Sequence, residues 1–271
     1  MLRHRQPSRV AALLVALAMT WGAAAETSEP QPRSGGPARR EAIADLVAAN
    51  HVLAKLGVLD GFGHVTIRDP DHPQRYLMSR SLAPALVTDR DIMEFDLDSN
   101  PLDAGGRAAA FERFIHGEIY KLRPDVNAVV HSHSPTIIPF SVTQTPLRPI
   151  SHVAAFLSPA VPVYDLRATV RTSNMLITDR QLGKALAEAL GNNSVVLMRG
   201  HGNAVVAANV GLATFRAFYT EVNARLLLQA RTLDGPIMFL DPDEAARADE
   251  LHQRGYVRQW ELWKQELDGS K

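Results

Sequence analysis

The stretch that most constrains this chain is residues 127–133, read NAVVHSH. Ala128, Val129 and Val130 are a short apolar, β-branched run that follows the turn residues Pro124 and Asp125, the pattern of a buried strand. Strand side chains alternate faces, so His131 and His133 leave the same face, roughly 6.5–7 Å apart, with Ser132 turned away between them. Two imidazoles aimed that way can close on one metal ion. Two further ligands are in view: Glu112 upstream, on an expected helix, and His201 in LMRGHGNAVV after a second buried strand. Neutral imidazole with a carboxylate suits Zn²⁺, Mn²⁺, Fe²⁺ or Co²⁺. A histidine pair by itself is also what a hydrogen-bonded strand shows. The third histidine, flanked by Gly200 and Gly202 that let the backbone turn sharply, shifts the reading to a metal site.

Residues 1–25 are not read as fold. Arg3, Arg5 and Arg9 form a basic segment, Val10–Trp21 an apolar core, and Ala23-Ala24-Ala25 a small-residue cleavage site, the layout of a secretory signal. The apolar run is short of the ~20 residues of a membrane span, although an uncleaved anchor is the alternative. The expected address is extracytoplasmic, in a bacterial periplasm, with no stable membrane association once the signal is removed. The chain has no cysteine, which excludes disulfides, thiolate ligands and a cysteine nucleophile. Cleavage after Ala25 leaves about 246 residues, enough for one domain with a substantial core. The full chain balances 29 basic against 29 acidic residues; losing the three arginines gives a net charge of −3. With no basic block, nucleic acid is excluded as a partner. Residues 26–39, rich in Pro, Gly and Ser, are expected to be a flexible leader to a single domain at 40–271.

From Arg40, Ile43, Leu46, Val47, Leu53 and Leu56 follow a helical period that Gly57 can end. Strands are expected around Val65 and Ile67, at 76–78 and at 92–97. A helix is expected over 108–122, then the strand at 127–133 and a short helix near Thr136. Residues 146–172 read as irregular, with strand-like pieces around His152 and Val163. A helix over 178–190 has Thr178 or Asp179 as N-cap. Strands at 195–198 and 204–207 flank His201, and helices cover 210–232 and 242–267, the last broken near Gly255. Interleaved helices and strands give an α/β layered domain around a central sheet. There is no G-x-S-x-G elbow, no G-x-x-x-x-G-K-[ST] phosphate loop and no G-x-G-x-x-G fingerprint.

The run ERFIHGEIYKLRPDVNAVVHSH, with RGHGNAVV further on, resembles the class II aldolase/adducin family over roughly residues 42–267. The resemblance implies a three-layer αβα sandwich around a central, mainly antiparallel or mixed sheet, commonly a homotetramer with active sites near subunit interfaces. It implies a divalent metal, Zn²⁺ or Mn²⁺, on His131, His133 and His201. Glu112 takes the carboxylate position, as acid/base and as a possible fourth ligand when no substrate is present. Sugar-phosphate aldolases of this family carry G-N-x-S near the N-terminus and Ser-Ser before the glutamate. Here those places read Gly63-His64-Val65-Thr66 and Ala110-Phe111, and neither alanine nor phenylalanine can donate hydrogen bonds to a phosphate. A phosphorylated sugar is therefore not the expected substrate. Unlike adducin-like members, the chain keeps the full ligand set.

GFGHVTIR, MSRSLAPALVT, FERFIHGEIY, PLRPISH and the final RQWELW are most similar to the family's decarboxylase branch, which acts on hydroxylated pyridine dicarboxylates or carboxymuconic semialdehydes. The implied activity is a carbon–carbon lyase that decarboxylates an unphosphorylated, aromatic-derived hydroxy-carboxylate through a metal-stabilised enolate. The alternatives are an aldolase on a small unphosphorylated aldehyde or 2-oxo acid, and a non-catalytic metal-binding or assembly module. Arg80, between Ser79 and Ser81 after a strand, is a candidate carboxylate clamp or an internal salt bridge. His64 and His152 are candidate substrate contacts, each with a structural alternative, and Ser79 joins them. His116, one turn after Glu112, is a candidate to orient that carboxylate or a mere surface neighbour. Tyr219, Glu221, Trp260 and Trp263 read as packing residues on the last two helices.

Overall fold

A computed structural model describes residues 36–269. The secretory-signal segment 1–25 and most of the expected leader lie outside the described residues. The first helix, α1 (Pro37–Lys55), has proline in its first turn, where a missing N–H costs nothing. It therefore takes in the last three residues of the expected leader. Arg39 explains the earlier start: it is buried, 2.9 Å from Glu94 and 3.3 Å from Asp69. Gly57, at φ +71°, turns the chain after α1.

Seven strands follow: β1 (His64–Arg68), β2 (Arg75–Ser79), β3 (Ile92–Asp96), β4 (Ala128–Ser132), β5 (Val163–Tyr164), β6 (Val195–Met198) and β7 (Gly202–Ala207). They form one sheet in the order β3-β2-β1-β4-β7-β6-β5. Every pair is antiparallel except β5–β6, so the sheet is mixed. The helices are α2 (Arg113–Leu122), α3 (Ile138–Val142), α4 (Arg180–Leu190), α5 (Val210–Ala230) and α6 (Pro242–Asp268).

Strand periodicity divides the core in two. Val65, Ile67, Ala128, Val130, Leu197 and Val205 face one way and pack with α1, α5 and α6. Val129, Val196, Ala204 and Val206 face the other way and pack with α2 and α4. The result is three layers, helices on both faces of a sheet whose central strands are buried throughout. Asp179 caps α4 by accepting from the Leu182 N–H. Trp260 and Trp263 are buried, as packing residues should be.

Three further elements differ from the sequence reading. Helix α2 begins at Arg113, five residues later than expected, with Glu112 in the N-cap position. The preceding loop is held instead by Arg107, which donates to the Asp103, Ala104, Arg90 and Ile92 carbonyls. His152 starts a 3₁₀ turn (His152–Leu157), not a strand. Helix α6 runs unbroken through Gly255. A mid-helix glycine costs about 1 kcal/mol, and the Asp241/Glu244 capping box together with the docking of Trp260 and Trp263 outweighs it. Among the described residues no helix is long and apolar enough to cross a membrane.

Candidate metal centre and its pocket

The register that pairs β4 with β1 and β7 places the histidines. His131 is opposite His64 on one side and Ala204 on the other, on the sheet face that meets α2. His133 lies just beyond the end of β4. His201 sits in the three-residue connection between β6 and β7, where Met198 pairs with Gly202. Gly200, at φ +64°, lets that connection turn. At Gly202 a side chain would collide with the Ser132 carbonyl, so only glycine permits this approach of the two strand ends.

These elements bring Glu112, His131, His133 and His201 together, with one ligand atom of each within 4.8 Å of the others. His133 Nε2 lies 3.1 Å from His131 Nε2 and 3.0 Å from His201 Nε2. Glu112 Oε2 is 3.5 Å from His131 Nε2 and 3.4 Å from His201 Nε2. A metal–nitrogen bond of about 2.0–2.1 Å with tetrahedral angles sets neighbouring ligand atoms about 3.3–3.4 Å apart. The four neighbouring pairs around the ring His131–His133–His201–Glu112 come near that spacing.

The outer hydrogen bonds decide which nitrogen faces inward. His131 Nδ1 donates to the Asn203 carbonyl at 3.0 Å, and His201 Nδ1 to the Met175 carbonyl at 2.8 Å. A carbonyl only accepts, so in the neutral ring each Nε2 is left with a lone pair pointing into the cluster. Lone pairs converging at this distance repel unless a cation lies among them. Burial, with the nearby His131 and His201, pushes His133 down to about 4, so it is neutral at physiological pH. Burial raises the Glu112 carboxyl, but hydrogen bonds and charge from His131 and His201 overcome this and hold it well below the usual carboxylate range. Burial lowers His201, and Glu112 more than reverses it, so its value is raised. The proton that Glu112 attracts to this imidazole occupies the place a metal cation would take.

Glu112 is fixed by contacts that sequence spacing does not reveal. Its Oε1 accepts from the Ile177 N–H at 2.9 Å, which turns Oε2 toward the histidines. As N-cap residue it also stands at the positive end of α2, which favours the ionised form.

A pocket of about 480 Å³ opens beside the cluster, lined by His64, Ser79, Arg80, Glu112 and His133 among others. Phe62 and Phe111 complete its rim, each 73% exposed. Arg80 Nε bonds Asp91 at 2.6 Å, which leaves the terminal nitrogens of the guanidinium for a ligand. The salt-bridge reading of Arg80 is realised, at the edge of the pocket. Ala110 and Phe111 do line the pocket where the aldolases carry two serines, and they offer it apolar surface.

Two expected site residues lie elsewhere. His152 does not line this pocket; its Nδ1 pairs with His252 Nε2 of α6 at 3.0 Å. Among the described residues no hydrogen bond joins the side chains of His116 and Glu112. His116 is fully buried and bonds His64 at 2.7 Å and Thr66 at 2.7 Å. With Glu112 outside the helix, the four-residue spacing no longer places the two side chains together. Sequence reasoning missed Phe62 and Asp60. Asp60 Oδ1 lies 3.9 Å from His133 Nδ1. The G-F-G context of Phe62 was the one available signal.

Residues 44–228 match the family described as Class II Aldolase and Adducin N-terminal domain. The chain is 36% identical over 249 residues to the decarboxylase tropJ of Talaromyces stipitatus, covering 83% of this chain and 94% of that protein. It is 32% identical over 252 residues to a 3,4-dihydroxyphthalate decarboxylase of Arthrobacter keyseri, covering 89% and 96%. Among solved structures, an L-fuculose 1-phosphate aldolase from Glaciozyma antarctica superposes with a TM-score of 0.71 at 25% identity, covering 89% of this chain and 96% of that one.

Proposed function

The chain belongs to the class II aldolase/adducin family, and on that premise we propose that it is a divalent-metal-dependent decarboxylase of a hydroxylated aromatic carboxylate without a phosphate. The observation that carries this reading is the composition of one pocket. Lone-pair nitrogens and Glu112 converge at one side, Arg80 presents a cation, and Phe62 and Phe111 line a rim suited to a planar ring. Alanine and phenylalanine stand where a phosphate would need donors. Relatives named decarboxylases, matched over nearly their full length, support the same class of carbon–carbon lyase.

His131, His133 and His201 are the metal ligands of this reading, with Zn²⁺ or Mn²⁺ as the ion. When bound, the ion supplies Lewis acidity toward adjacent hydroxyl and carbonyl oxygens of the substrate. The chain's own residues do the rest. Arg80 binds a carboxylate through its terminal nitrogens and orients the ring. Ser79 and His64 contact polar groups of the substrate. Glu112 Oε2, ionised in the free site, takes a proton from a substrate hydroxyl and gives it to the carbon that loses carbon dioxide, as the carbon–carboxyl bond breaks and its electron pair stays on that carbon. Phe62 and Phe111 cover the ring and exclude water.

The reading includes export of the mature protein, on the basic and apolar pattern of residues 1–25, and a homo-oligomer, in keeping with the family. An aldolase on a small unphosphorylated carbonyl compound is the second reading, and the aldolase fold neighbours favour it. The experiment is product analysis with 3,4-dihydroxyphthalate as first probe. Carbon dioxide and a dihydroxybenzoate are expected. Cleavage of an aldol probe into two fragments, with no carbon dioxide from any hydroxylated aromatic carboxylate, would favour the aldolase.

A further inference from the structure

Behind the pocket wall lies a string of buried polar groups that the decarboxylase reading leaves unused. Tyr120 OH is 2.8 Å from Thr66 Oγ1, Thr66 Oγ1 is 2.7 Å from His116 Nδ1, and His116 Nε2 is 2.7 Å from His64 Nδ1. Tyr120, Thr66 and His116 are fully buried among the sheet and α2, and His64 is the member that reaches the pocket. Its Nε2 has no hydrogen-bond partner within the described chain and is not among the occluded unsatisfied atoms, so it opens on the cavity.

The direction of the protons along this string follows from counting donors. The Tyr120 hydroxyl meets the Val129 backbone N–H, which only donates, and Thr66 Oγ1. Thr66 is thus the acceptor open to the phenol proton. Thr66 then has one place for its own proton, the His116 Nδ1 lone pair. With Nδ1 accepting, neutral His116 carries its proton on Nε2 and donates it to His64 Nδ1. Neutral His64 is left with its proton on Nε2, aimed into the pocket. Reversing the string would leave the phenol proton without an acceptor in a buried site, at the cost of an unmade hydrogen bond.

We infer that Tyr120, Thr66 and His116 fix His64 as the Nε2–H tautomer, which makes His64 a hydrogen-bond donor to an anionic oxygen of the substrate and bars it from joining the metal ligands. His64 sits 5.0 Å from His131, ring centre to ring centre, so a bare Nε2 there would compete for the cation. A fixed N–H instead matches a carboxylate or phenolate oxygen and disfavours a group that can only donate. Tyr120, Thr66 and His116 are positioning residues that act through His64. The tautomer stands independently of the decarboxylase reading; what it donates to rests on that reading.

The test is side-chain ¹⁵N NMR of histidine-labelled, zinc-loaded protein, with the His64 signals assigned from His64→Gln. The expected result is one tautomer, protonated on Nε2 and bare on Nδ1. In Thr66→Val, which removes the hydroxyl that donates to His116 Nδ1 and keeps the side-chain shape, His64 is expected to split between tautomers. A wild-type His64 protonated on Nδ1, or an unchanged spectrum in Thr66→Val, would overturn the inference. The second arm measures phthalate binding by calorimetry. His64→Leu should weaken it roughly tenfold to hundredfold, the size of a hydrogen bond to a charged group, and His64→Gln should recover most of the loss. Equal affinity in His64→Leu and wild type would overturn the donor role. Failure of wild type to bind phthalate counts against the aromatic-carboxylate function, and the spectrum then decides the tautomer alone.

Discussion

His133 Nε2 and His201 Nε2 face each other at 3.0 Å, while His201 Nδ1 is already committed to the Met175 carbonyl at 2.8 Å. The His201 lone pair aimed at the His133 nitrogen, with the Glu112 carboxylate beside them, is a site suited to a cation. The chemistry of the pocket is organised around that arrangement.

Glu112 is the group placed to move a proton. Glu112→Gln keeps the size and the contact with the Ile177 N–H and removes the titrating carboxyl. Turnover should fall about 10²–10⁴-fold, the usual share of general acid catalysis, with His131, His133 and His201 still binding metal. Normal turnover in this variant would remove Glu112 from the chemistry. The assay is steady-state carbon dioxide release beside elemental analysis.

Arg80 should govern substrate affinity. Arg80→Leu is expected to raise KM for 3,4-dihydroxyphthalate roughly tenfold to hundredfold, the worth of a charge-assisted hydrogen bond. Arg80→Lys should restore little, because an ammonium cannot bond Asp91 and a carboxylate in the same planar geometry. An unchanged KM in Arg80→Leu would leave Arg80 as a salt bridge only.

The pH dependence of stability has a contributor far from the site. Burial raises the Glu94 carboxyl, but hydrogen bonds and charge from Arg75 and Arg39 outweigh that and lower it below its ordinary 4.5. A group depressed on folding stabilises the protein above its unfolded value and loses that contribution as pH falls through its folded value. Removing one partner of a buried pair costs about 3 kcal/mol. Glu94→Gln should therefore melt well below wild type at pH 7, and the gap should narrow as the pH drops below 4.5. Thermal melts at several pH values check it; a gap independent of pH would contradict the account.

Gly202→Ala should lose metal without touching a ligand. The added methyl collides with the Ser132 carbonyl and forces apart the ends of β4 and β7, which carry His131 and the Asn203 carbonyl that orients it. Reduced metal content and a lower melting temperature are expected, measured on the same preparation. Full metal occupancy in this variant would show that the strand ends can separate without harm.

The metal cluster was legible in the sequence because strand alternation is local: Val129 and His131 had to share a face wherever the strand went. His201 was legible for a similar reason, as a residue between glycines after a buried strand. Glu112 was in view as an upstream carboxylate and the resemblance gave it a role, but its setting was not legible, because the Ile177 N–H that orients it comes from a loop 65 residues away. Phe111 extended an apolar pattern that read as helix, whereas its side chain is exposed at the pocket rim. His152 took a partner 100 residues away on α6. Gly255 signalled a break that tertiary docking of α6 overrode. In each case a long-range contact prevailed over a local preference, and a contact of that kind leaves no trace in spacing.

The measurement that bears most directly on the account is metal content of the purified protein, wild type beside His133→Ala, after refilling with Zn²⁺ or Mn²⁺. About one divalent ion per chain is expected in wild type, with loss of most of it in His133→Ala. A wild-type protein that stays metal-free after refilling, or a variant that keeps its full complement, would contradict it.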